Sequence, residues 1–334
     1  MDVTALLSAR KEPVMKRVFE LIEDGEPKLL YEMMRDYPSR SGKGLRPALV
    51  VITAEAFGAP AGKAVTTAAA LEMFQNWVLI HDDIEDGSDD RRGKPCLHKL
   101  HGVPLAINAG DALHIKMWEG LLKTRKEIGA AKSYKVMAKM AEMLDRTVEG
   151  QTMEISWVEN KQWDVTEEDY YMMVHKKTAW YTVIAPMQMG AIIAGHGSQK
   201  AIHRFGEVLG RAFQIQDDVL NLVAEEDKYG KEIAGDIYEG KRTLMLLHLI
   251  RKCTPAEREK VLDIMNKPRE QKTKEEVACV LQMMKDKGSI DYAKAKAKAF
   301  AAKAKKMFPK LRVPAGSARD ELASIIDFIV EREL

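Results

Sequence analysis

Apolar residues recur every three or four positions along most of this chain, the spacing that places them on one face of an α-helix. Residues of high helix propensity, such as Ala, Leu, Met, Glu and Lys, fill the same stretches. Alternating β-branched runs, which would indicate strands, are nearly absent. The sequence therefore predicts an all-α protein. The clearest helical stretches are Ala64–Ile80, Ala130–Val148, Glu168–Ile184, Ile202–Val223 and Thr243–Lys252.

Short segments that break helices interrupt this pattern, and no long linker rich in Gly or Ser separates one part of the chain from another. A length of 334 residues permits two domains or one large helical domain. We predict one domain over residues 1–334. The breaking segments are Tyr37–Gly44, Gly87–Pro95, Asn160–Thr166, Gly195–Ser198, Asp227–Gly240, Lys267–Lys274 and Pro309–Ser317.

The composition argues against a nucleic-acid-binding protein and against a disulfide-rich one. The 52 basic and 50 acidic residues leave a net charge of +2, so the chain lacks the basic balance of a nucleic-acid binder. The lysine-rich segment 293–310 is interpreted as a solvated helix face, because Ala and Lys are strong helix formers. Cys96, Cys253 and Cys279 are too few and too scattered for a disulfide framework or a zinc site, which fits a reducing cytoplasm.

The sequence does not predict a signal peptide or a segment that spans a membrane. The first residues lack the apolar core of a signal peptide. The longest apolar stretch, Thr182–Gly195, is shorter than the roughly 20 residues that a membrane span needs. We therefore expect a cytoplasmic protein that does not span a membrane.

Two predicted helices end in a pair of adjacent aspartates, followed three residues later by another side chain that carries oxygen. They read FQNWVLIHDDIED over residues 74–86 and FQIQDDVLN over residues 213–221. The clusters consist of Asp82, Asp83, Asp86, Asp217, Asp218 and Asn221. Like charges four positions apart destabilise a helix by about 0.2–0.5 kcal/mol per pair. A divalent cation removes this repulsion, and Mg²⁺ binds such carboxylates together with phosphate oxygens. The clusters therefore predict sites for several Mg²⁺ ions.

Basic residues lie close to both clusters in the sequence. The candidates are Lys43 and Arg46 in SGKGLRP, Arg91 and Arg92 after the first cluster, Lys177 in HKKT, and Lys231 and Lys241 after the second cluster. Arginine binds phosphate through two hydrogen bonds, and lysine acts as a point charge. Together they supply charge for two diphosphates, one held through metal and one held by Arg and Lys alone.

This pairing predicts a reaction in which diphosphate leaves. Metal and lysine neutralise the charge that develops on the leaving group. No GxSxG elbow, catalytic cysteine context or P-loop occurs in the sequence. Ionisation of an allylic diphosphate, followed by attack of an alkene, is therefore the simplest chemistry.

The combined motifs resemble the trans-isoprenyl diphosphate synthases of the polyprenyl synthetase family. The resemblance rests on DDxxD with RRGxP four residues later, a Lys-Thr pair, FQxxDD and two spaced lysines, in that order. It implies the isoprenoid synthase fold, a bundle of mostly antiparallel helices around a deep central cavity, and a homodimer. It also implies condensation of isopentenyl diphosphate with an allylic diphosphate to an all-trans short-chain product.

The resemblance implies a role for each matching residue. The Mg²⁺ ions would be bound by Asp82, Asp83, Asp86 and Asp217, with Asp218 and Asn221 nearby. The allylic diphosphate would contact Arg91, Lys177, Lys231 and Lys241. The ionising substrate would be stabilised by Thr178 and Gln214. Isopentenyl diphosphate would be held without metal by Lys43, Arg46, Arg92 and Gln75.

Asn221 stands where the family pattern has an aspartate, and DDVLNLVAE resembles the corresponding motif of class I terpene cyclases. A cyclase is therefore an alternative, although it would not need Lys43, Arg46 and Arg92. A second alternative is a non-catalytic regulatory subunit. Such subunits carry damaged aspartate motifs, whereas both paired aspartates are intact here.

Product length is expected to depend on side chains that precede the first cluster. Trp77 lies five residues before Asp82, about 7.5 Å along a helix axis, and would block the growing hydrocarbon. Phe74 is expected to help block the hydrocarbon at the same place. Val78, the residue after Trp77, is smaller. By resemblance to archaeal short-chain enzymes, we expect a geranylgeranyl (C20) or farnesyl (C15) product.

Overall fold

The computed structural model describes residues 2–40, 42–197, 199–223 and 233–331, and helices dominate this part of the chain. The all-α prediction is therefore confirmed. The α-helices up to the second aspartate cluster are α1 Val3–Leu21, α2 Lys28–Ser39, α3 Leu45–Ala56, α4 Val65–Glu85, α5 Leu97–His101, α6 Val103–Ile128, α7 Ala130–Glu159, α8 Glu167–Val174, α9 Ala185–Ala194 and α10 Gln199–Val223.

The remaining α-helices are α11 Gly235–Tyr238, α12 Leu244–Lys252, α13 Pro255–Met265, α14 Lys274–Asp286, α15 Ser289–Met307 and α16 Ser317–Glu331. Short 3₁₀ helices cover Ala61–Lys63, Arg269–Gln271 and Phe308–Leu311. A π-helix over His175–Ile184 continues α8, where the sequence predicts one uninterrupted helix over Glu168–Ile184. None of the helices described is long and apolar enough to cross a membrane.

The chain divides into two compact units. The first comprises Met1–Leu144, Tyr181–Phe205 and Met307–Phe328. The second comprises Asp145–Trp180, Gly206–Lys306 and Ile329–Leu334. The single domain and the central cavity implied by the resemblance stay predictions.

Helix α4 is the core helix of the first unit. Its residues from Thr66 to Asn76 are all buried, because apolar side chains occupy every face rather than one stripe. It packs against α1, α3 and α6. Gly110 of α6 permits a close approach, since an added Cβ would lie 2.3 Å from His81 Nε2. The first aspartate cluster thus follows a fully buried stretch of its helix.

The core of the second unit is formed by residues of α8, α10, α12, α13, α14 and α15. Thr166, Thr254 and Thr273 each begin a helix with a reciprocal capping box, which satisfies backbone N–H groups at the helix start. Gly210 of α10 allows contact with the π-helix, because an added Cβ would lie 2.4 Å from the Cβ of Ala179. The second aspartate cluster lies at the end of α10.

A small hairpin occupies part of the segment Gly87–Pro95, which the sequence predicts only as a break. Strands Asp90–Arg91 and Lys94–Pro95 pair in antiparallel register, Asp90 opposite Pro95 and Arg91 opposite Lys94. Arg92 and Gly93 form the tip with φ values of 53° and 73°, as tight hairpin turns require. Strands of two residues leave no alternating pattern, which explains why the sequence does not predict them.

Candidate active site

The first aspartate cluster is organised around a buried carboxylate. Asp83 is fully buried and accepts a hydrogen bond of 2.5 Å from the Tyr37 hydroxyl. Arg91 Nε donates to Asp83 Oδ1 at 2.9 Å, and Arg91 Nη2 donates to the same oxygen. Asp82 keeps 23% of its side chain exposed, with an oxygen 3.6 Å from Arg91 Nη2. Both oxygens of Asp83 therefore accept hydrogen bonds from protein donors, while Asp82 keeps part of its side chain exposed.

The charges in this group support one another. Burial lowers the pKa of Arg91, but the Asp83 carboxylate outweighs that effect and raises the pKa overall. Burial and the neighbouring Asp83 raise the pKa of Tyr37, so the phenol keeps its proton and remains a donor. A buried ion pair is tolerated only when further hydrogen bonds satisfy its atoms. The Tyr37 hydroxyl meets that condition.

Arg40 holds the hairpin that carries Arg91 and Arg92. Its guanidinium donates to the carbonyl oxygens of Arg91 at 3.1 Å, Lys94 at 3.2 Å and Pro95 at 2.9 Å. Arg92 Nη1 donates to the Tyr37 carbonyl at 3.2 Å. The sequence analysis missed Tyr37 and Arg40, because only tertiary contacts connect them with the aspartate motif.

A cluster of cations surrounds one buried carboxylate in the first unit. Glu72 of α4 is 4% exposed; burial raises its pKa, and the charges of Arg92, Arg46 and Lys11 oppose that rise. Burial lowers the pKa of Arg92, and the neighbouring Arg46 lowers it further. The predicted anion ligands Arg46 and Arg92 are therefore close enough to repel each other, with Glu72 partly neutralising them.

The residues predicted to bind isopentenyl diphosphate without metal differ in their burial and in their contacts. Gln75, one helical turn after Glu72, is buried, and its Oε1 has no hydrogen-bond partner among the described residues. Arg46 donates to Thr182 Oγ1 at 3.0 Å, and its guanidinium lies 4.5 Å from the centre of the Tyr181 ring. Lys43 is exposed, with its Nζ 5.9 Å from the centre of the Phe328 ring.

The second aspartate cluster also contains a buried, hydrogen-bonded carboxylate. Asp218 accepts hydrogen bonds of 2.7 Å from the Tyr170 hydroxyl and from Gln214 Nε2. The Thr178 hydroxyl donates to Gln214 Oε1 at 2.6 Å. The structure thus connects three residues that the sequence analysis selected, Thr178, Gln214 and Asp218. Tyr170 was missed, because it lies 48 residues before Asp218 in the sequence.

Burial dominates the electrostatics of this cluster. It raises the pKa of Asp218 to about 7, against the lowering effect of the Gln214 and Tyr170 hydrogen bonds. It also raises the pKa of Asp236, which is close enough to Asp218 for their charges to interact. Asp217 is only half-buried. A cation at this cluster would stabilise the charged form of each carboxylate.

Asn221 and the two predicted lysines that the structure describes in this unit, Lys177 and Lys241, all have partners. Asn221 Oδ1 accepts a hydrogen bond of 3.2 Å from the backbone N–H of Asp236. Lys241 Nζ lies 2.6 Å from Glu239 Oε2, and Lys177 forms an ion pair with Glu154. Lys231 lies outside the described residues. Glu154 and Glu239 hold the two lysine side chains where no diphosphate is bound.

Lys177 and Thr178 lie in the π-helix, where the backbone is tightly packed. Gly150 of α7 approaches this segment closely, since an added Cβ would lie 2.3 Å from the Lys177 nitrogen. Single π-helical turns in proteins occur frequently at functional sites. Close packing of the backbone fixes the direction of both side chains.

The residues expected to limit product length form an aromatic stack. Trp77 of α4 lies against His114 of α6, with ring centres 4.2 Å apart and planes 12° from parallel. The Trp118 indole donates to His114 Nε2 at 2.9 Å, which fixes the imidazole. The Phe74 ring meets the Trp77 ring edge-on, with ring centres 5.8 Å apart. Val78, the residue after Trp77, is half-buried. The sequence-predicted Phe74 and Trp77 therefore belong to one rigid aromatic group.

The donor set of both clusters suits a hard divalent cation. Asp82, Asp86 and Asp217 are half-buried carboxylates. Asp83 accepts two hydrogen bonds on each oxygen, whereas Asp218 Oδ2 and Asn221 Oδ1 each accept one and retain a second lone pair. Mg²⁺ and Ca²⁺ both prefer oxygen ligands of this kind.

These helices, paired aspartates and cations define a prenyltransferase with the isoprenoid synthase fold. A family model described as polyprenyl synthetase matches residues 27–284, and the chain belongs to that family. The predicted resemblance and the predicted fold are both confirmed.

Relatives and solved structures agree with this assignment. The short chain isoprenyl diphosphate synthase of Methanothermobacter thermautotrophicus is 35% identical over 100% of this chain and 99% of its own length. The geranylgeranyl pyrophosphate synthetase of Pyrococcus horikoshii is 35% identical, with a TM-score of 0.88 over 99% of each chain. A polyprenyl synthase from Caulobacter crescentus, complexed with calcium and isoprenyl diphosphate, is 27% identical, with a TM-score of 0.88 over 99% of this chain and 97% of its own.

The buried group around Asp83 yields a prediction on stability. Arg91→Met leaves a buried carboxylate without its counter-charge, so we expect a loss of about 3–5 kcal/mol in the free energy of unfolding. Tyr37→Phe removes one hydrogen bond to a charged group and is expected to cost about 1.5–3 kcal/mol. Urea unfolding followed by circular dichroism measures both values.

The matched control is Lys94→Met, which changes an exposed cation of the same hairpin. A surface substitution of this kind is expected to change the free energy of unfolding by at most about 0.5 kcal/mol. If Arg91→Met and Lys94→Met destabilise the protein equally, Asp83 does not depend on Arg91.

Proposed function

We propose that the protein condenses isopentenyl diphosphate head-to-tail with an allylic diphosphate to form a short all-trans isoprenyl diphosphate. The observation that carries this proposal is the presence of two kinds of anion site. Aspartate clusters suit a diphosphate bound through metal, whereas the neighbouring cations Arg46 and Arg92 suit a diphosphate bound directly. Two such sites match the two substrates.

Mg²⁺ is the metal that we propose for the aspartate clusters. Asp82, Asp86 and Asp217 would bind it most directly, while Asp83, Asp218 and Asn221 would share oxygens that already accept hydrogen bonds. When bound, the metal neutralises charge on the departing diphosphate. The calcium in the Caulobacter crescentus structure supports a divalent ion in this family.

The allylic diphosphate would be contacted by Arg91, Lys177, Lys241 and Lys231, the last of which lies outside the described residues. Lysines that now pair with Glu154 and Glu239 would exchange those partners for phosphate oxygens. Thr178 and Gln214 would then direct oxygen dipoles toward the allylic cation. Their hydrogen bonds to each other and to Asp218 support a fixed orientation, which avoids reorganisation during ionisation.

Isopentenyl diphosphate would be bound by Lys43, Arg46, Arg92 and Gln75 without metal. Gln75 would contribute its Nε2 donor, because the amide oxygen only accepts hydrogen bonds and a diphosphate offers it no donor. A terpene cyclase or a regulatory subunit would have no use for this second diphosphate site. We therefore prefer the synthase to both alternatives, and we expect it in the cytoplasm.

Product analysis tests this function. Purified protein is incubated with isopentenyl diphosphate, dimethylallyl, geranyl or farnesyl diphosphate, and Mg²⁺, and the products are identified by mass spectrometry. We expect a discrete C15 or C20 diphosphate that disappears when a chelator is added. We expect Asp82→Ala and Asp217→Ala to lower the turnover at least about a hundredfold, because each removes stabilisation of the leaving group.

Asp164→Ala, which changes an exposed aspartate, is the control and is expected to keep full turnover. Cyclised hydrocarbon formed without isopentenyl diphosphate would favour the cyclase instead. Absence of product with every starter would favour the regulatory subunit.

We propose that the aromatic stack of Trp77, His114 and Phe74 limits the product to C15–C20, with C20 preferred. The geranylgeranyl product named for the Pyrococcus horikoshii relative supports the longer value. Trp77→Ala removes the largest ring of the stack, so we expect products longer by one or more five-carbon units. Trp77→Phe retains an aromatic ring and serves as the matched control. An identical product distribution for Trp77→Ala and the wild type would contradict this role.

We propose a homodimer as the working form. Five apolar side chains of α6 are between 39% and 63% exposed. Four of them, Val103, Ile107, Ile115 and Leu122, lie toward one side of the helix, and Leu105 lies apart from them. Apolar residues in such a stripe are expected to be covered by a partner. In a homodimer the partner is a second copy of the chain, which presents the same stripe.

Light scattering after size exclusion tests this surface. The wild type is expected at twice the chain mass of 37.6 kDa, and the double variant Ile115→Glu/Leu122→Glu at the mass of one chain. Met172→Glu, at an exposed apolar residue of α8, is the control and is expected to leave the dimer intact. A monomeric wild type at micromolar concentration would refute the homodimer.

A further inference from the structure

Lys11 of α1 contacts the loop that carries Lys43 at two points. Its Nζ donates to the Gly42 carbonyl at 2.9 Å. Its aliphatic stem lies against Gly44, where an added Cβ would be 3.0–3.1 Å from Lys11 Cβ, Cγ and Cδ. One side chain therefore contacts the residue before Lys43 and the residue after it.

Both glycines have a backbone that depends on these surroundings. Gly44 has a φ of 68° and begins α3, whose first turn contains Arg46. A positive φ of this size favours glycine. An added Cβ on Gly42 would lie 2.7 Å from Arg92 Nη2, so the guanidinium of Arg92 adjoins Gly42. The loop is thus contacted by Lys11 and by Arg92.

Lys11 also shares the electrostatic environment of the cation cluster. Burial lowers the pKa of Lys11, the Glu72 carboxylate raises it, and Arg92 lowers it further. Lys11 and Arg92 therefore repel each other, and both are attracted to Glu72. Lys11 is half-buried, and its ammonium is held by the Gly42 carbonyl rather than extended into solvent.

We propose that Lys11 is a positioning residue of the isopentenyl diphosphate site. It fixes the loop Gly42–Gly44, and through this loop it places the charges of Lys43 and Arg46 around the same anion as Arg92. This inference rests on the proposed function, and it adds a residue of α1 that the sequence motifs do not contain.

The expected effect is specific to one substrate. Without the Lys11 contacts the loop must be ordered when the anion binds, and this ordering reduces affinity. We expect Lys11→Met to raise the KM for isopentenyl diphosphate about tenfold, equivalent to about 1.4 kcal/mol. The KM for the allylic diphosphate and the kcat at saturation are expected to stay within about twofold, because the metal-bound diphosphate uses other residues.

Three further variants separate positioning from a general effect on the fold. Lys11→Arg retains a cationic donor and is expected to restore most of the affinity, whereas Lys11→Gln is expected to give an intermediate KM. Lys16→Met changes an exposed lysine on the same helix and is expected to match the wild type. Thermal melting is measured for the wild type and for all four variants, so that the kinetic comparison uses folded proteins only.

Direct binding completes the experiment. Isothermal titration calorimetry with isopentenyl diphosphate in the presence of a chelator reports the metal-free site alone. The role of Lys11 would be overturned if the wild type binds isopentenyl diphosphate and turns it over while Lys11→Met binds it with unchanged affinity. An equal rise in the KM values of both substrates in Lys11→Met would overturn it as well. A wild type that neither binds isopentenyl diphosphate nor turns it over would instead contradict the proposed function.

Discussion

The buried carboxylate of Asp83 is the constraint on which the first half of the site depends. A charged group without solvent is tolerated only with a counter-charge and hydrogen bonds, and Arg91 and Tyr37 provide both. These contacts join the end of α4 to α2 and to the hairpin. Arg92 follows Arg91 at the tip of the hairpin. The buried ion pair therefore connects the end of α4, which carries the proposed metal ligands, to the hairpin that carries Arg92.

The second cluster uses the same device with a different partner. Asp218 is buried and bound by a tyrosine hydroxyl, as Asp83 is, but its second donor is the neutral Gln214 rather than an arginine. Without a paired arginine, burial raises the pKa of Asp218 to about 7. In each pair of aspartates the second is buried and the first is half-buried. The buried member fixes the end of its helix through hydrogen bonds to a tyrosine and a second donor.

Local sequence patterns predict the helices and the clusters, because helical periodicity and motif spacing are properties of neighbouring residues. The helix predicted over Ala130–Val148 is confirmed within α7, and that over Ala64–Ile80 is confirmed within α4. Tyr37 and Tyr170 were missed, since each meets its aspartate across more than forty residues. Glu72 could have been found from its position, because it is the first charged residue of α4 in an otherwise apolar and neutral run.

Glu72 supplies the negative charge that lets several cations lie near one another in the first unit. Like charges repel, and burial strengthens this repulsion because it removes the screening of water. A single carboxylate beside Lys11, Arg46 and Arg92 lowers the repulsion without neutralising the cluster. The remaining positive charge would attract the diphosphate that we propose for this site, which carries more charge than one carboxylate. Such a cluster keeps its arginines ordered before the anion arrives, and preorganisation of this kind reduces the cost of binding.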